Sequence, residues 1–261
     1  MQQYHGTVLL NQWVSSRYKH LAVHAPGITT GCTAGQFFHL RCADGFVPLL
    51  RRPMSIYRIV PKQDEIHFLY HVKGAGTQLL GEMQQGDRLD MFGPLGHGFT
   101  LDPKWKNILI LARGVGLATL APLVQLAGEQ GVKVYAVLSA RTESDILSAT
   151  YMRDCGAEVI TVTDESGTSG VDDVHPMLEA LIEMHEVDAL FTCGSKRLTY
   201  LLQSLALKYN LPGQVAVEEN MGCGMGMCYC CVKQFNHNGT PVNLRVCKDG
   251  PVFSLKEVMN L

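Results

Sequence analysis

The pattern of apolar residues changes near Lys106, and this change most constrains the fold. Before it, residues 1–101 contain short runs with partial apolar alternation, such as HLAVHAP, QFFHLRCA, EIHFLYHV and DRLDMFGP. Pro or Gly stands at some of their ends, and no helix of any length is needed before Gly76. Short strands at this spacing predict a small antiparallel β-barrel.

After Lys106, continuous apolar runs alternate with helical stretches. The runs are NILILA, VKVYAVLSA, EVITVTD and DALFTCG. Helices are predicted from the GVG turn to about residue 130, and over 142–155, 174–186 and 196–209. This alternation indicates βαβ units and a mostly parallel sheet, in which ligands bind at the carboxyl ends of the strands.

The predicted fold class is therefore a multidomain α+β chain. It comprises an antiparallel β-barrel (1–101), an α/β parallel-sheet domain (102–212) and a cysteine-rich module (213–261). A length of 261 residues suits two domains with a small addition. The apolar stretch 108–127 is long enough to span a membrane, but Arg113 and its neighbouring glycines interrupt it. We expect a buried strand, a turn and a core helix there instead.

The charge balance excludes one class of partner. The chain has 22 Lys and Arg against 24 Asp and Glu, so no basic excess is available to neutralise phosphates, and nucleic acid is not expected. The N-terminus lacks the pattern of a secretory signal. We expect a cytoplasmic protein without membrane association.

The most specific motif is a set of cysteines near the C-terminus. Four of the nine cysteines have the spacing C-x4-C-x2-C followed by one more: Cys223, Cys228, Cys231 and Cys247. This spacing is typical of plant-type [2Fe–2S] clusters. Gly222, Gly224 and Gly226 allow the backbone to approach such a cluster closely, and their N–H groups can donate to sulfur.

Other interpretations of these cysteines remain open. A structural zinc site usually takes two CxxC knuckles, and only one properly spaced knuckle is present. A set of inert buried thiols is the third possibility. Cys230 could compete with Cys231 as a ligand, although the two-residue gap after Cys228 favours Cys231.

Two motifs in the first domain suggest a phosphate-bearing ligand. Arg52-Pro53-Met54-Ser55 combines an arginine that can neutralise a pyrophosphate with a hydroxyl that can reach the edge of a flavin ring. Gly74, Gly76 and Thr77 open a predicted helix, whose N-terminus favours anions.

Several segments together resemble the electron-transfer subunits of class B dihydroorotate dehydrogenase. They are RRPMSIY, GAGT, FGPLGHGF, ALFTCGS and the terminal EENMGCGMGMCYCC…VCKDGPVF. The barrel and the βαβ domain are similar to the wider ferredoxin-NADP reductase superfamily. The resemblance implies FAD on the barrel, NAD(H) on the second domain and a [2Fe–2S] cluster on the tail.

The resemblance also implies a partner and a set of roles. An FMN-containing catalytic dehydrogenase subunit, joined in a heterotetramer, would oxidise dihydroorotate and send electrons through the cluster and FAD to NAD+. Arg52 and Ser55 would hold the FAD pyrophosphate and flavin ring, and Gly76 and Thr77 would contact phosphates. The four spaced cysteines would ligate iron. No nucleophile or acid–base pair is evident, so no residue of this chain is expected to be catalytic.

The chain departs from the family in the dinucleotide loop. The family pattern GGGxGxxPL here begins Ala112-Arg113-Gly114-Val115-Gly116, and Thr119 replaces the proline. Arg113 could pair with a dinucleotide phosphate, block the nicotinamide site or point to solvent. Ser195 likewise stands where the family usually has proline.

The candidate nicotinamide dinucleotide residues are Gly114, Gly116, Arg141 and Cys193. Arg141 follows the second strand, where an adenosine ribose or its 2′-phosphate is expected, but by itself an arginine there favours a surface residue over a cofactor selector. Cys193 could approach the nicotinamide or be a small core residue. NAD and NADP are not distinguished.

The leading functional hypothesis is an oxidoreductase subunit that passes electrons between a partner flavoenzyme and NAD(H). One alternative is an FAD and [2Fe–2S] reductase, or an electron wire, that serves another oxidoreductase with altered or lost NAD(P) binding. The alternative from another functional class is a non-catalytic module for protein binding, in which zinc only stabilises the fold of the tail.

Overall fold

The computed structural model describes residues 1–259. Six antiparallel strands form a closed barrel in the order β1-β2-β5-β4-β3-β6, as the alternating pattern predicts. Their bounds are β1 Gln2–Trp13, β2 Tyr18–His24, β3 Phe37–Leu40, β4 Arg52–Val60, β5 Glu65–His71 and β6 Arg88–Leu95. Aromatic and branched side chains on their inward faces, such as Phe38, Phe68 and Tyr70, are almost fully buried in the barrel core.

One helix, α1 (Ala75–Glu82), lies between β5 and β6. Its Leu80 is buried in the barrel core. The amide of Asn11 on β1 donates to the carbonyls of Leu80 (2.8 Å) and Met83 (3.0 Å) at the C-terminal end of α1. These bonds give the carbonyls at the end of α1 side-chain donors and anchor the helix to the barrel.

The second unit is a mostly parallel sheet flanked by helices. Its elements run β7 Asn107–Arg113, α2 Gly116–Glu129, β8 Lys133–Ala140, α3 Ala149–Asp154, β9 Glu158–Thr163, α4 Val171–Met184, β10 Ala189–Cys193, α5 Lys196–Lys208 and β11 Gly213–Ala216. The strand order is β14-β11-β10-β7-β8-β9, where β14 is Val252–Ser254 from the C-terminal segment. The chain therefore reverses its direction across the sheet between β7 and β10. Such a reversal opens a crevice at the carboxyl ends of the strands.

The helix predicted over 142–155 is wrong in extent. The segment contains a single 3-10 turn at Glu143–Asp145, and α3 starts only at Ala149. Asp145 is buried and forms an ion pair with Arg17 of the barrel, and Ser148 has a left-handed backbone with φ +69°. This contact between the two units interrupts the helix that local pattern favours.

The C-terminal segment contributes to two structures. β12 (Val232–His237) and β13 (Thr240–Arg245) form a separate hairpin, whereas β14 (Val252–Ser254) pairs antiparallel with β11 at the edge of the large sheet. Strand β11 in turn pairs with β10, from Leu190↔Gly213 to Cys193↔Ala216. Residues 213–216 and 252–254 therefore lie in the sheet rather than apart from it, and the domain bounds stay a prediction.

The barrel and the sheet share a packed interface. Tyr57 of β4 and Leu69 of β5 belong to the same apolar core as α2 and the near face of the sheet. The tail also returns to the barrel, where His97 N donates to the carbonyl of Gly250 at 2.6 Å. Within residues 1–259, no helix has both the length and the apolar character needed to cross a membrane.

Candidate functional site

A cavity lies between the barrel and the carboxyl ends of the sheet. Its barrel wall includes Pro53, Met54 and Ser55, which the sequence analysis selected as flavin residues. The opposite wall is the start of α2, and the floor is the segment that follows β11. The remaining lining residues are Phe37, Leu69, Tyr70, His71, Val115, Ala118, Thr119, Val217, Glu218, Glu219, Met221 and Pro251. Broad apolar walls with few polar groups suit a planar ring system.

Arg52 and Gly76 are in direct contact at the N-terminus of α1. A Cβ atom on Gly76 would lie 2.6 Å from Nε of Arg52. Arg52 also donates from Nη1 to the carbonyl of Leu50 at 2.6 Å. The missing side chain therefore lets a guanidinium lie across the helix end. A guanidinium and a helix N-terminus together provide the donors and positive charge that a pyrophosphate requires.

Thr77 organises the turn that leads into α1. Its hydroxyl accepts from the N–H groups of Lys73 (2.9 Å) and Gly74 (3.1 Å) and donates to the carbonyl of Gly74 (3.0 Å). Gly74 is exposed, and nothing lies within 4 Å of where its Cβ would be. The open space beside this turn fits the phosphate group that was predicted there.

Glu218 is a site residue that the sequence analysis missed. Its side chain is accessible from the cavity, which it lines. Protein surrounds the carboxyl group on its other sides, and the resulting desolvation raises its pKa. The signal was present in the sequence: an acidic pair stands one residue beyond the end of strand β11, at the ligand-binding edge of the sheet. A carboxyl group there can hold a proton close to a bound ring.

Gly116, one of the predicted dinucleotide glycines, and Gly194 allow two loops to pack closely together. A Cβ on Gly116 would overlap the carbonyl of Cys193, and one on Gly194 would overlap the carbonyl of Arg113. Gly114 has φ +59°, a left-handed conformation that favours glycine. Close packing of the turns after β7 and β10 thus accounts for Gly116 and Gly194 before any ligand is considered.

Cys193 lies in the core below the cavity. Its side chain is 1% exposed, and burial raises the pKa of its thiol. It lies beside Thr119, which lines the cavity in the place of the family proline. The packing role is therefore observed, and the role toward nicotinamide stays a prediction.

Arg113 does not point to solvent. Its Nη1 donates to Ser139 Oγ at 2.7 Å and its Nη2 donates to Asp164 Oδ2 at 2.6 Å. These bonds hold the side chain at the carboxyl ends of the strands, where it is only 20% exposed. Arg197 on α5 approaches the other oxygen of Asp164 at 3.6 Å. Arg141 is exposed just after β8, and its nucleotide role stays a prediction.

The four cluster cysteines form two pairs. The side chains of Cys223 and Cys228 lie close enough to interact with each other, as do those of Cys231 and Cys247. Cys247 also lies close enough to Cys223 to interact with it electrostatically. Across residues 1–259, no three His, Cys, Asp or Glu side chains form a single-ion site. In a [2Fe–2S] cluster four thiolates serve two irons, so the observed pairs fit one iron each.

The cluster loop is rich in N–H donors toward sulfur. Backbone N–H groups of Met225 (3.3 Å), Met227 (3.3 Å) and Cys228 (3.5 Å) all donate to Cys223 Sγ. Burial alone would raise the pKa of Cys223, but these bonds outweigh it and lower its pKa to about 6. Cys247 N donates to Cys231 Sγ at 3.4 Å. Such donors stabilise thiolate ligands and tune the potential of a cluster.

The cysteines of the tail differ in their solvent exposure. Cys231 and Cys247 are each 1% exposed, whereas Cys228 and Cys230 are exposed. Tyr229, between them, has φ +56°. The chain is thus turned sharply just before Cys231, and the ligand preference for Cys231 over Cys230 stays a prediction.

Comparisons with known proteins agree with this architecture. Residues 218–259 match the family model described as the iron-sulfur cluster binding domain of dihydroorotate dehydrogenase B. A Desulforamulus reducens protein named "Dihydroorotate dehydrogenase B (NAD(+)), electron transfer subunit" is 32% identical over 252 residues, covering 97% of this chain and 96% of its own. A Bacillus caldolyticus protein of the same name is 35% identical over 258 residues, covering 97% of each chain.

Solved structures show the same fold. An NADH-dependent reduced ferredoxin-NADP oxidoreductase structure superposes with a TM-score of 0.79 at 24% identity, over 97% of this chain and 89% of that one. A ferredoxin NADP+ reductase from Neisseria gonorrhoeae superposes with a TM-score of 0.63 at 17% identity, over 80% and 92%. The barrel, the parallel sheet and the cysteine tail are thus found together in full-length relatives, and this chain belongs to the family of electron-transfer subunits of dihydroorotate dehydrogenase B.

Proposed function

We propose that this oxidoreductase subunit passes electrons between the FMN of a catalytic dehydrogenase subunit and NAD(H), through a [2Fe–2S] cluster and FAD. The observation that carries the proposal is the continuity of the two sites. Glu218 and Met221 line the cavity, and Cys223, only two residues later, is the first of the paired cysteines. Two extended residues span roughly 7 Å, so the two redox groups would be close neighbours.

The residues present suit FAD at the cavity. When bound, FAD supplies the conversion between hydride transfer and one-electron steps. Arg52 and the N-terminus of α1 would neutralise the pyrophosphate. Ser55 would donate to the ring edge, and Glu218 would hold a proton at the floor of the cavity. The packed loops after β7 and β10 would exclude water from that side of the cavity.

The tail supplies the cluster ligands, and the cluster would carry one electron at a time. The N–H groups around Cys223 would stabilise the negative charge of its thiolate. The buried pair Cys231 and Cys247 would keep the second half of the cluster away from water. This chain's contribution is thus binding, orientation and electrostatics, and the oxidation of the organic substrate would take place on the partner.

Exposed apolar side chains suggest where the partner docks. Phe46 (87% exposed) and Leu49 (73%) lie in the loop that follows β3, and Met227 (76%) lies in the cluster loop. The two loops are neighbours because Gly224 packs against His39 of β3. We assign this surface, here called the docking surface, to the FMN-containing subunit in a cytoplasmic heterotetramer. The relatives' name, electron transfer subunit, supports a partner of this kind.

One observation favours a second function, that of an electron wire that does not bind nicotinamide. The Arg113–Asp164 pair lies at the strand ends where the dinucleotide would rest. In that case the partner would reduce the flavin and another carrier would accept the electrons.

A visible spectrum of anaerobically purified protein, followed by titration, tests both functions. We expect flavin bands over broad cluster absorption, and bleaching on addition of NADH. Bleaching by a reduced partner but by neither NADH nor NADPH would establish the wire instead. A colourless protein that contains zinc would contradict both and favour an interaction module.

A further inference from the structure

His39 is a buried histidine with an unsatisfied nitrogen. It lies on β3, is 1% exposed, and its Nε2 has no hydrogen-bond partner. A buried polar atom without a partner is costly and uncommon in native proteins, and it calls for a specific explanation. Its position on a barrel strand is far in sequence from the cysteine tail.

The ring of His39 lies against the cluster loop. A Cβ on Gly224 would be 2.9 Å from both Cε1 and Nε2 of His39, and Gly224 has φ +68°. Gly224 directly follows Cys223. The unpartnered edge of the imidazole therefore faces the loop that carries the first cluster ligand, and the missing side chain of Gly224 makes this approach possible.

His39 also lies between the two redox sites. Its ring centroid is 5.8 Å from that of Phe37, which lines the flavin cavity. Burial, together with the nearby charge of Arg51, lowers the pKa of His39 to about 4. A neutral imidazole carries one N–H, and the structure shows no protein acceptor for an Nε2–H.

We propose that Nε2–H of His39 donates a hydrogen bond to a sulfur atom of the iron–sulfur cluster, which makes the barrel part of the cluster site. The inference rests on the proposed function, because it requires the cluster on the tail. A donor to sulfur favours the reduced, more negative cluster and so raises its reduction potential. His39 is a positioning and tuning residue, and no bond is made or broken at it.

The test is carried out on the full-length protein with both cofactors. Redox titration followed by electron paramagnetic resonance gives the cluster potential in wild type, His39→Met and His39→Gln. Methionine fills the space but cannot donate, so we expect an equilibrium constant for reduction about tenfold lower, or about 59 mV for one electron. Glutamine retains an N–H donor and should restore most of the wild-type potential.

A spectroscopic measurement identifies the contact directly. In protein labelled with 15N only at histidine, pulsed electron paramagnetic resonance of the reduced cluster should show a weak 15N coupling that is lost in His39→Met. His20→Phe is the matched control, because His20 is a barrel histidine whose Nε2 bonds His67 at 2.9 Å rather than facing the cluster loop. This control should keep both the potential and the coupling.

Failure of the His39 hydrogen bond and failure of the proposed function give different results. An unchanged potential in His39→Met with no 15N coupling in the wild type would overturn the inference while leaving the proposed function intact. A strong coupling of the kind given by a directly bound imidazole would also overturn it, because His39 would then be a ligand. Wild-type protein that lacks iron and sulfide would overturn the proposed function itself. Flavin absorbance and melting temperature verify that each variant is folded.

Discussion

Arg113 Nη2 donates a 2.6 Å hydrogen bond to Asp164 Oδ2, and through Ser139 the same side chain also bridges to β8. The pair thus spans the carboxyl ends of three parallel strands at the place where a dinucleotide binds in this fold. The hydrogen bond from Arg113 is also the main reason that the pKa of Asp164 is lowered. A phosphate would have to compete with Asp164 for the guanidinium.

We expect Arg113→Gln to weaken NADH binding about tenfold, since a charge-assisted bond to phosphate is lost. Asp164→Asn should tighten it, because the competing carboxylate is removed while the side-chain shape is kept. Titration of flavin bleaching with NADH measures both affinities. Tighter binding by Arg113→Gln would contradict the phosphate role and show that the guanidinium blocks the site.

Gly76→Ala should weaken FAD binding. The added methyl group would lie 2.6 Å from Nε of Arg52 and would push the guanidinium away from the N-terminus of α1. We expect a loss of about tenfold in affinity, the scale of one charge-assisted hydrogen bond. Gly81→Ala, near the other end of α1, is the matched control, because its new methyl group would meet only ordinary van der Waals contacts of 3.6 Å or more. Equal FAD content in the two variants would remove Arg52 from the pyrophosphate site.

Cys228→Ser should remove the cluster, whereas Cys230→Ser should leave it in place. Both side chains are exposed, but only Cys228 is paired with Cys223. We expect Cys228→Ser to lose most of its iron and sulfide, and Cys230→Ser to keep the wild-type content and spectrum. The reverse pattern, in analyses of protein purified without oxygen, would show that the second ligand is Cys230.

Glu218→Gln should change stability in a pH-dependent manner. The pKa of Glu218 is raised by desolvation, so folding favours its protonated form, and the charged form penalises the folded state at high pH. The variant should therefore melt higher than wild type at pH 8. The difference should vanish below a pH of about 4.3, where the carboxyl group is protonated in both states. For a chain of this size, each added kcal/mol of unfolding free energy raises the melting temperature by about 2–4 °C. Equal melting temperatures at pH 8 would contradict the enclosed carboxylate.

Phe46→Ser and Leu49→Ser, in the docking surface, should weaken association with the catalytic subunit. Removing a large apolar anchor from an interface costs about 2 kcal/mol or more, so the dissociation constant should rise at least about tenfold. Met184→Ser on α4, where the side chain is 74% exposed, is the control. Sedimentation of the mixed subunits gives the affinities. Unchanged association in both docking variants would place the interface elsewhere.

The order of the elements could be predicted from the sequence alone, and the cysteine spacing in the tail predicts which residues ligate the cluster. Alternation of apolar residues up to about residue 101 and continuous runs after Lys106 predict the barrel and the parallel sheet, because each period follows from local backbone geometry. The spacing from Cys223 to Cys231 could also be read directly, since those ligands lie in one loop. The Arg52 to Ser55 motif and the Gly76 turn could be selected for the same reason.

The contacts between distant segments could not be predicted from the sequence. The helix predicted over 142–155 is shortened because Asp145 binds Arg17, 128 positions away. Arg113 is held by Asp164 across 51 positions, and His39 reaches the loop at Gly224 because β3 and the tail pack together. Such pairs leave no periodic signal, since each depends on the closing of the barrel and on the twist and packing of the sheet. The cysteine motif thus indicates a cluster, whereas the surrounding fold supplies the enclosed carboxyl group beside the flavin cavity, the ion pair at the strand ends and the imidazole that faces the cluster loop.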